Sequence, residues 1–154
     1  MKLAEALIQR ADAQKRLQQL QERLNRSARV QEGDTAPEDP QVLLDEASQV
    51  IVLWNDLVKK INRTNAATRF DALRTLTDAI ADRDALARER NILAGVIAAA
   101  IPAQHPYAYN QSNIKYFRAI NVAEIQRRAD ELARRYRELD SAIQAMNWNT
   151  DLLD

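Results

Sequence analysis

The chain has 154 residues, with 22 basic and 22 acidic side chains, two Gly, four Pro and no Cys. That length allows one domain with a real hydrophobic core, and a composition poor in turn formers predicts long helices with few turns. Zero net charge removes any global attraction to nucleic acid or an anionic membrane, and the lack of Cys excludes disulfides, thiolate metal sites and cysteine nucleophiles.

The opening MKLAEALIQRADAQ places Glu5, Arg10 and Asp12 where an export signal needs an unbroken apolar run, so a cytoplasmic protein is expected. Leu3, Ala6, Ala13, Leu17, Leu20 and Leu24 recur at helical steps and predict a first helix over 2–26. Residues 27–39 hold Gly33, Pro37 and several acids and read as a loop, with a short strand allowed near Val30. Asp39 followed by Pro40 is a good helix start, because the carboxylate can accept an orphan amide bond and Pro is tolerated in the first turn.

The second helix is expected over 40–62. Leu44, Ala47, Ile51, Trp54, Val58 and Ile61 form its stripe, widened by Leu43, Val50 and Leu57, so it should be the most buried. The pattern lapses in NRTNAATR and resumes after Thr75, which with Asp78 resembles a capping box. A third helix follows over 76–101, ended by Pro102, and its seam contains Arg83 and Arg90. These arginines could form a buried layer with acidic partners, but the simpler reading has their stems covering apolar surface while the heads reach water. The longest apolar run, Ile92 to Ile101, is half of the roughly 20 residues a membrane span needs.

Residues 102–121 have no helical period, and a short strand is expected at 114–120. The strands near Val30 and Tyr116 could pair into a small β-element. Asn121 with Glu124 supplies a cap for a fourth helix over 122–147, whose seam is Ile125, Ala129, Leu132, Tyr136, Leu139, Ile143 and Met146. The expected fold is all-α: one domain, an elongated bundle of four long antiparallel helices.

Chemistry-bearing motifs are scarce. The sole His, His105, sits in a Pro-flanked loop, so neither a Glu-x-x-His metal pair nor a G-x-S-x-G nucleophile turn is present, and no catalytic, metal or cofactor residue is assigned. Tyr107, Tyr109, Lys115, Tyr116, Phe117 and Arg118 combine aromatic faces with cations, as single-strand nucleic-acid platforms do. They form no recognised motif in a neutral chain, so a structural strand is preferred. Trp54 and Tyr136 lie in apolar stripes and read as core, while Trp148 with Leu152 and Leu153 could clamp the tail.

The linker after the second helix concentrates donors at a helix start. Arg63, Asn65, Thr68, Arg69, Arg74 and Thr75 form a candidate anion-binding set, since free helix amides and the macrodipole favour negative charge there. The blander account is that Asn65 and Thr75 cap helices and the arginines satisfy carbonyl groups.

MKLAEAL, VQEGD at Val30 to Asp34, INRTNAATR at Ile61 to Arg69, RTLTDAIADRDAL at Arg74 to Leu86 and the closing NWNTDLLD together resemble the small bacterial family labelled septicolysin. The resemblance spans nearly the whole chain. Its label implies a haemolysin, but it brings no cofactor or catalytic residue, and it implies Gly in the slot of Leu73.

The residues themselves favour a non-enzymatic protein acting through protein contacts, as a homo-oligomer or with an unidentified protein partner, without nucleic-acid or membrane binding. The alternatives are a membrane-active cytolysin, as the label implies, and a regulatory module for a phosphate-bearing ligand.

Overall fold

The computed structural model describes residues 1–101 and 116–154. Four helices carry the fold: α1 Leu3–Ser27, α2 Pro40–Ala67, α3 Leu76–Ala100 and α4 Val122–Asn149. The fold is all-α, as expected. The chain divides into two compact units, residues 1–77 with 144–154 and residues 78–143.

In the first unit α1 packs on α2. The sequence sets each start locally. The Lys2 amide donates to the Glu5 carboxylate at 2.7 Å, and Asp39 accepts the Gln41 amide at 2.8 Å ahead of Pro40. Leu3, Ala6, Ala13 and Leu20 of α1 are buried, as are Leu43, Leu57 and Ile61 of α2. Each fully buried Leu or Ile contributes about 1.5–3 kcal/mol before its entropic cost. Arg16 pairs with Glu46, and Arg23 with Glu38 just ahead of α2, so numbers rise along α1 as they fall along its partner. The pair is antiparallel.

In the second unit α3 and α4 bury Leu93, Ala129 and Leu132, with Leu86 and Ile125 packed against them. Arg83 meets Asp140 at 2.9 Å and Arg128 meets Glu89, which again makes an antiparallel pair. The Asn121 side chain accepts the Glu124 amide at 3.2 Å, the cap read from the sequence. No helix among the described residues is long and apolar enough to cross a membrane.

Three expectations need correction. First, α2 does not end at residue 62 but runs to Ala67. Thr64 and Thr68 return their hydroxyls to carbonyls one turn back, Lys60 at 2.8 Å and Thr64 at 2.7 Å. Threonines that bond inward can stay helical although their propensity is poor.

Second, neither strand forms among the described residues. Val30 lies in an exposed loop, and 116–120 is irregular, while Ile114 and Lys115 lie outside the described residues. Strand propensity expresses itself only on a sheet surface, and among the described residues no partner strand supplies one. Among the described residues the β-type pairing consists of two isolated bridges, Lys2 with Asp151 and Arg69 with Thr75.

Third, the stripe assigned to α2 is only partly a core. Of its named positions Leu43, Leu57 and Ile61 are buried, as is Thr64, which is not among them, while Leu44 and Ile51 are about half exposed. The two arginines of the α3 seam separate. Arg83 keeps only 20% of its side chain exposed and bonds Asp84 and Asp140, whereas Arg90 is exposed.

Candidate functional site

The α2–α3 connection is a tightly bonded turn. Phe70 donates its amide to the Arg74 carbonyl at 2.9 Å, and the Asp71 carboxylate accepts the Leu73 and Arg74 amides, each at 2.9 Å. This is the Asx geometry that makes Asp favourable in turns. The Arg74 guanidinium donates to the other Asp71 oxygen at 2.8 Å and lies 5.2 Å from the centre of the Phe70 ring. Arg74, then the Leu73 amide, hold the Asp71 carboxyl below its ordinary range. Leu73 itself is exposed at the tip, so its side chain meets no packing demand.

The turn brings Thr68, Arg69, Arg74 and Thr75 of the candidate set together, with their groups directed to the chain itself. Arg69 donates to the Ala72 carbonyl at 3.2 Å, and the Leu76 amide at the start of α3 donates to the Thr68 carbonyl at 2.9 Å. That amide is one of the donors an anion would use. Asn65 is half-buried on α2, and Arg63 is directed elsewhere.

Arg63 reaches the tail. It donates to the Asp154 carbonyl at 3.0 Å, and the fully buried Thr64 hydroxyl accepts the Leu153 amide at 3.0 Å while donating to Lys60. Lys60 lies 3.7 Å from the Asp154 carboxylate. At the start of α1, the Leu3 amide donates to the Thr150 carbonyl and the Leu152 amide to the Met1 carbonyl, both at 2.9 Å. Lys2 bridges Asp151 at 2.8 Å and draws that carboxyl below its ordinary range. Residues 150–154 are thus strapped across the start of α1 and the end of α2. Trp148 does not act as the clamp, being 55% exposed; backbone bonds to Met1 and Leu3 and the side chains of Lys2, Arg63 and Thr64 hold the tail. Backbone bonding leaves no side-chain signature, and the side chains that join it, Lys2, Arg63 and Thr64, lie far from the tail in sequence, so the strap is not legible there beyond the apolar Leu152 and Leu153.

The same unit carries a second feature. Val42, Leu44, Ile51, Val52 and Leu53 of α2 are all exposed, with Val52 at 71%. By helical spacing Leu44, Ile51 and Val52 gather on one side of α2 and Val42 and Leu53 lie on the other, and three solvated aliphatic groups together differ from the single exposed Leu or Val that needs no explanation. Trp54, between the buried and exposed rows, is half-buried, and its indole N–H is enclosed without a protein acceptor.

In the other unit, Val96, Ala98 to Ile101 and Tyr116 to Ile120 line an apolar hollow of about 790 Å³. Arg118 turns back to donate to the Ala100 carbonyl at 3.3 Å. Of the aromatic and basic segment, Tyr107, Tyr109 and Lys115 lie outside the described residues, as does His105, while Tyr116 and Phe117 are exposed. Among the described residues no three His, Asp or Glu side chains are placed to hold a metal ion.

Residues 10–152 match the model of a family described as a family of unknown function, DUF6847. A crystal structure described as that of a functionally unknown conserved protein from Corynebacterium diphtheriae is similar throughout. It shares 41% identity over 99% of each chain, with a TM-score of 0.88. No curated protein matches the chain.

Proposed function

The chain belongs to this family of unknown function, and we propose that it is a non-enzymatic cytoplasmic protein that works through protein contacts, first of all with copies of itself. The observation that carries the reading is the exposed aliphatic cluster on α2, Leu44, Ile51 and Val52 foremost. Exposing such groups costs roughly 25 cal/mol per Å² relative to burial, so a face that gathers several is stabilised by a cover. The balanced charge, 22 against 22, supplies no repulsion between copies.

Sedimentation equilibrium over nanomolar to high micromolar protein tests this. Wild type should move from a 17.5 kDa species to a dimer as concentration rises. Ile51→Glu should remain at the monomer mass throughout and keep its helical circular dichroism. A wild type that stays monomeric at every concentration overturns the proposal.

A further inference from the structure

Resting on that self-association, we infer that the second copy docks antiparallel on α2, across a twofold axis beside Val52. The register comes from spacing. Asp45, Val52 and Lys59 are seven residues apart, two helical turns, so they share one face of α2. Leu44, Ile51 and Val58 make the adjoining row at the same spacing. Leu44, Ile51 and Val52 are exposed and Val58 is half-buried. The helix therefore presents two parallel rows, one aliphatic and one with Val52 between opposite charges.

Asp45 and Lys59 are both exposed, and among the described residues no ion pair holds either of them; Asp45 accepts the Gln41 side-chain amide at 2.9 Å. They stand equally far from Val52 on opposite sides. A twofold axis at Val52 therefore sets Asp45 of each copy against Lys59 of the other, at both ends, with Val52 on Val52 between them. A parallel arrangement would place Asp45 on Asp45 and Lys59 on Lys59, which like-charge repulsion disfavours. Ser48 and Asn55 lie between the rows and are small enough for the helices to approach closely. The same twofold runs the Leu44–Ile51–Val58 rows of the two copies alongside each other.

One helix laid on one helix covers less than the roughly 800 Å² per partner of tight complexes. The dimer should accordingly form at micromolar rather than nanomolar concentration.

The absence of Cys makes the axis directly measurable. Helices packed at roughly 8–10 Å bring facing Cα atoms on a twofold within disulfide range. Val52→Cys, at a solvent-exposed position that does not threaten folding, should oxidise at micromolar concentration to a species of twice 17.5 kDa. It should do so at least tenfold faster than Gln19→Cys, on the exposed face of α1. Asp45→Lys or Lys59→Asp should each weaken dimerisation about tenfold, and the double variant should restore it, because exposed pairs are individually weak but here occur twice.

If Val52→Cys oxidises no faster than Gln19→Cys while wild type still sediments as a dimer, the antiparallel α2 pairing is overturned and self-association stands. A double charge variant as weak as the single ones also overturns the register. A monomeric wild type removes both readings together.

Discussion

In the second half of α2, Leu57, Ile61 and Thr64 are buried and the tail bonds to Thr64 and Arg63; in the first half only Leu43 is buried, while Val42, Leu44, Ile51, Val52 and Leu53 meet solvent. The second half carries three Val, Leu or Ile residues, Leu57, Val58 and Ile61, and buries or half-buries all of them, while the first carries seven. What separates them is the supply of neighbours. The second half has the start of α1 and the strapped tail around it; within this unit the first has α1 on one side, and its other side is exposed among the described residues. Apolar sequence marks a surface that needs covering, and topology decides whether the same chain covers it.

The sharpest way to break this contrast is to cut equal groups from each half. Ile61→Ala, at a site 1% exposed, should destabilise by about 2–5 kcal/mol. Ile51→Ala, 51% exposed, should stay within about 0.5 kcal/mol in protein dilute enough to be monomeric. Urea unfolding of both at nanomolar concentration, followed by fluorescence, makes the comparison. Similar losses would mean that Ile51 is covered within a single chain.

A smaller effect is expected at Thr64, which tests whether the tail contributes to the buried half. Thr64→Val keeps the shape but leaves the Leu153 amide without its acceptor, a loss of about 1–2 kcal/mol. For a chain of this size that lowers Tm by roughly 2–4 °C per kcal/mol. Hydrogen exchange at the Leu153 amide should accelerate in parallel. Unchanged exchange would mean that the strap is held by its other bonds alone.

The least effect, and one that depends on pH, belongs to Asp71 in the turn that follows the buried half. Its carboxyl is held below its ordinary value of 3.8, first by the Arg74 side chain and then by the Leu73 amide. A depressed folded-state value adds stability that is complete above the unfolded value and vanishes as pH falls through the folded one. Asp71→Asn should therefore be less stable than wild type at pH 6, and the gap should close below about pH 4, the range in which the unfolded carboxyl titrates. A gap of constant size from pH 6 to pH 3 would assign the loss to packing rather than charge.

Much of this architecture was legible in the residues. Every seam position named for α4, from Ile125 to Met146, is buried or half-buried, because that helix repeats its apolar residues strictly and caps them with Asn121. The starts of α2, α3 and α4 were equally readable from Asp39–Pro40, Thr75 and Asn121.

The end of α2 was not readable, since Asn62, Thr64 and Asn65 look like helix breakers until one sees that the Thr64 hydroxyl bonds within its own helix. The arginines at 69 and 74 were legible as a concentration of donors but not in their aim. Whether such donors face outward depends on nearby carbonyls and on Asp71, which lie within a few residues yet only converge once the turn is closed. The residues mark the whole of α2 as the most buried helix, its exposed half included, because periodicity reports how wide an apolar stripe is and not how many helices stand beside it.

The strap also bears on the order in which the protein can be assembled during synthesis. The Leu3 amide, one of the donors left over at the start of α1, finds its acceptor in Thr150. At about 5–20 residues per second, a ribosome needs roughly 7–30 s to make the intervening chain. Once residue 67 has emerged α1 and α2 can pair, but until residue 150 follows the Leu3 amide at the start of α1 must be left to water. The nascent protein thus passes through a stage in which the antiparallel pair exists with one end unsealed, and only emergence of the last few residues closes it.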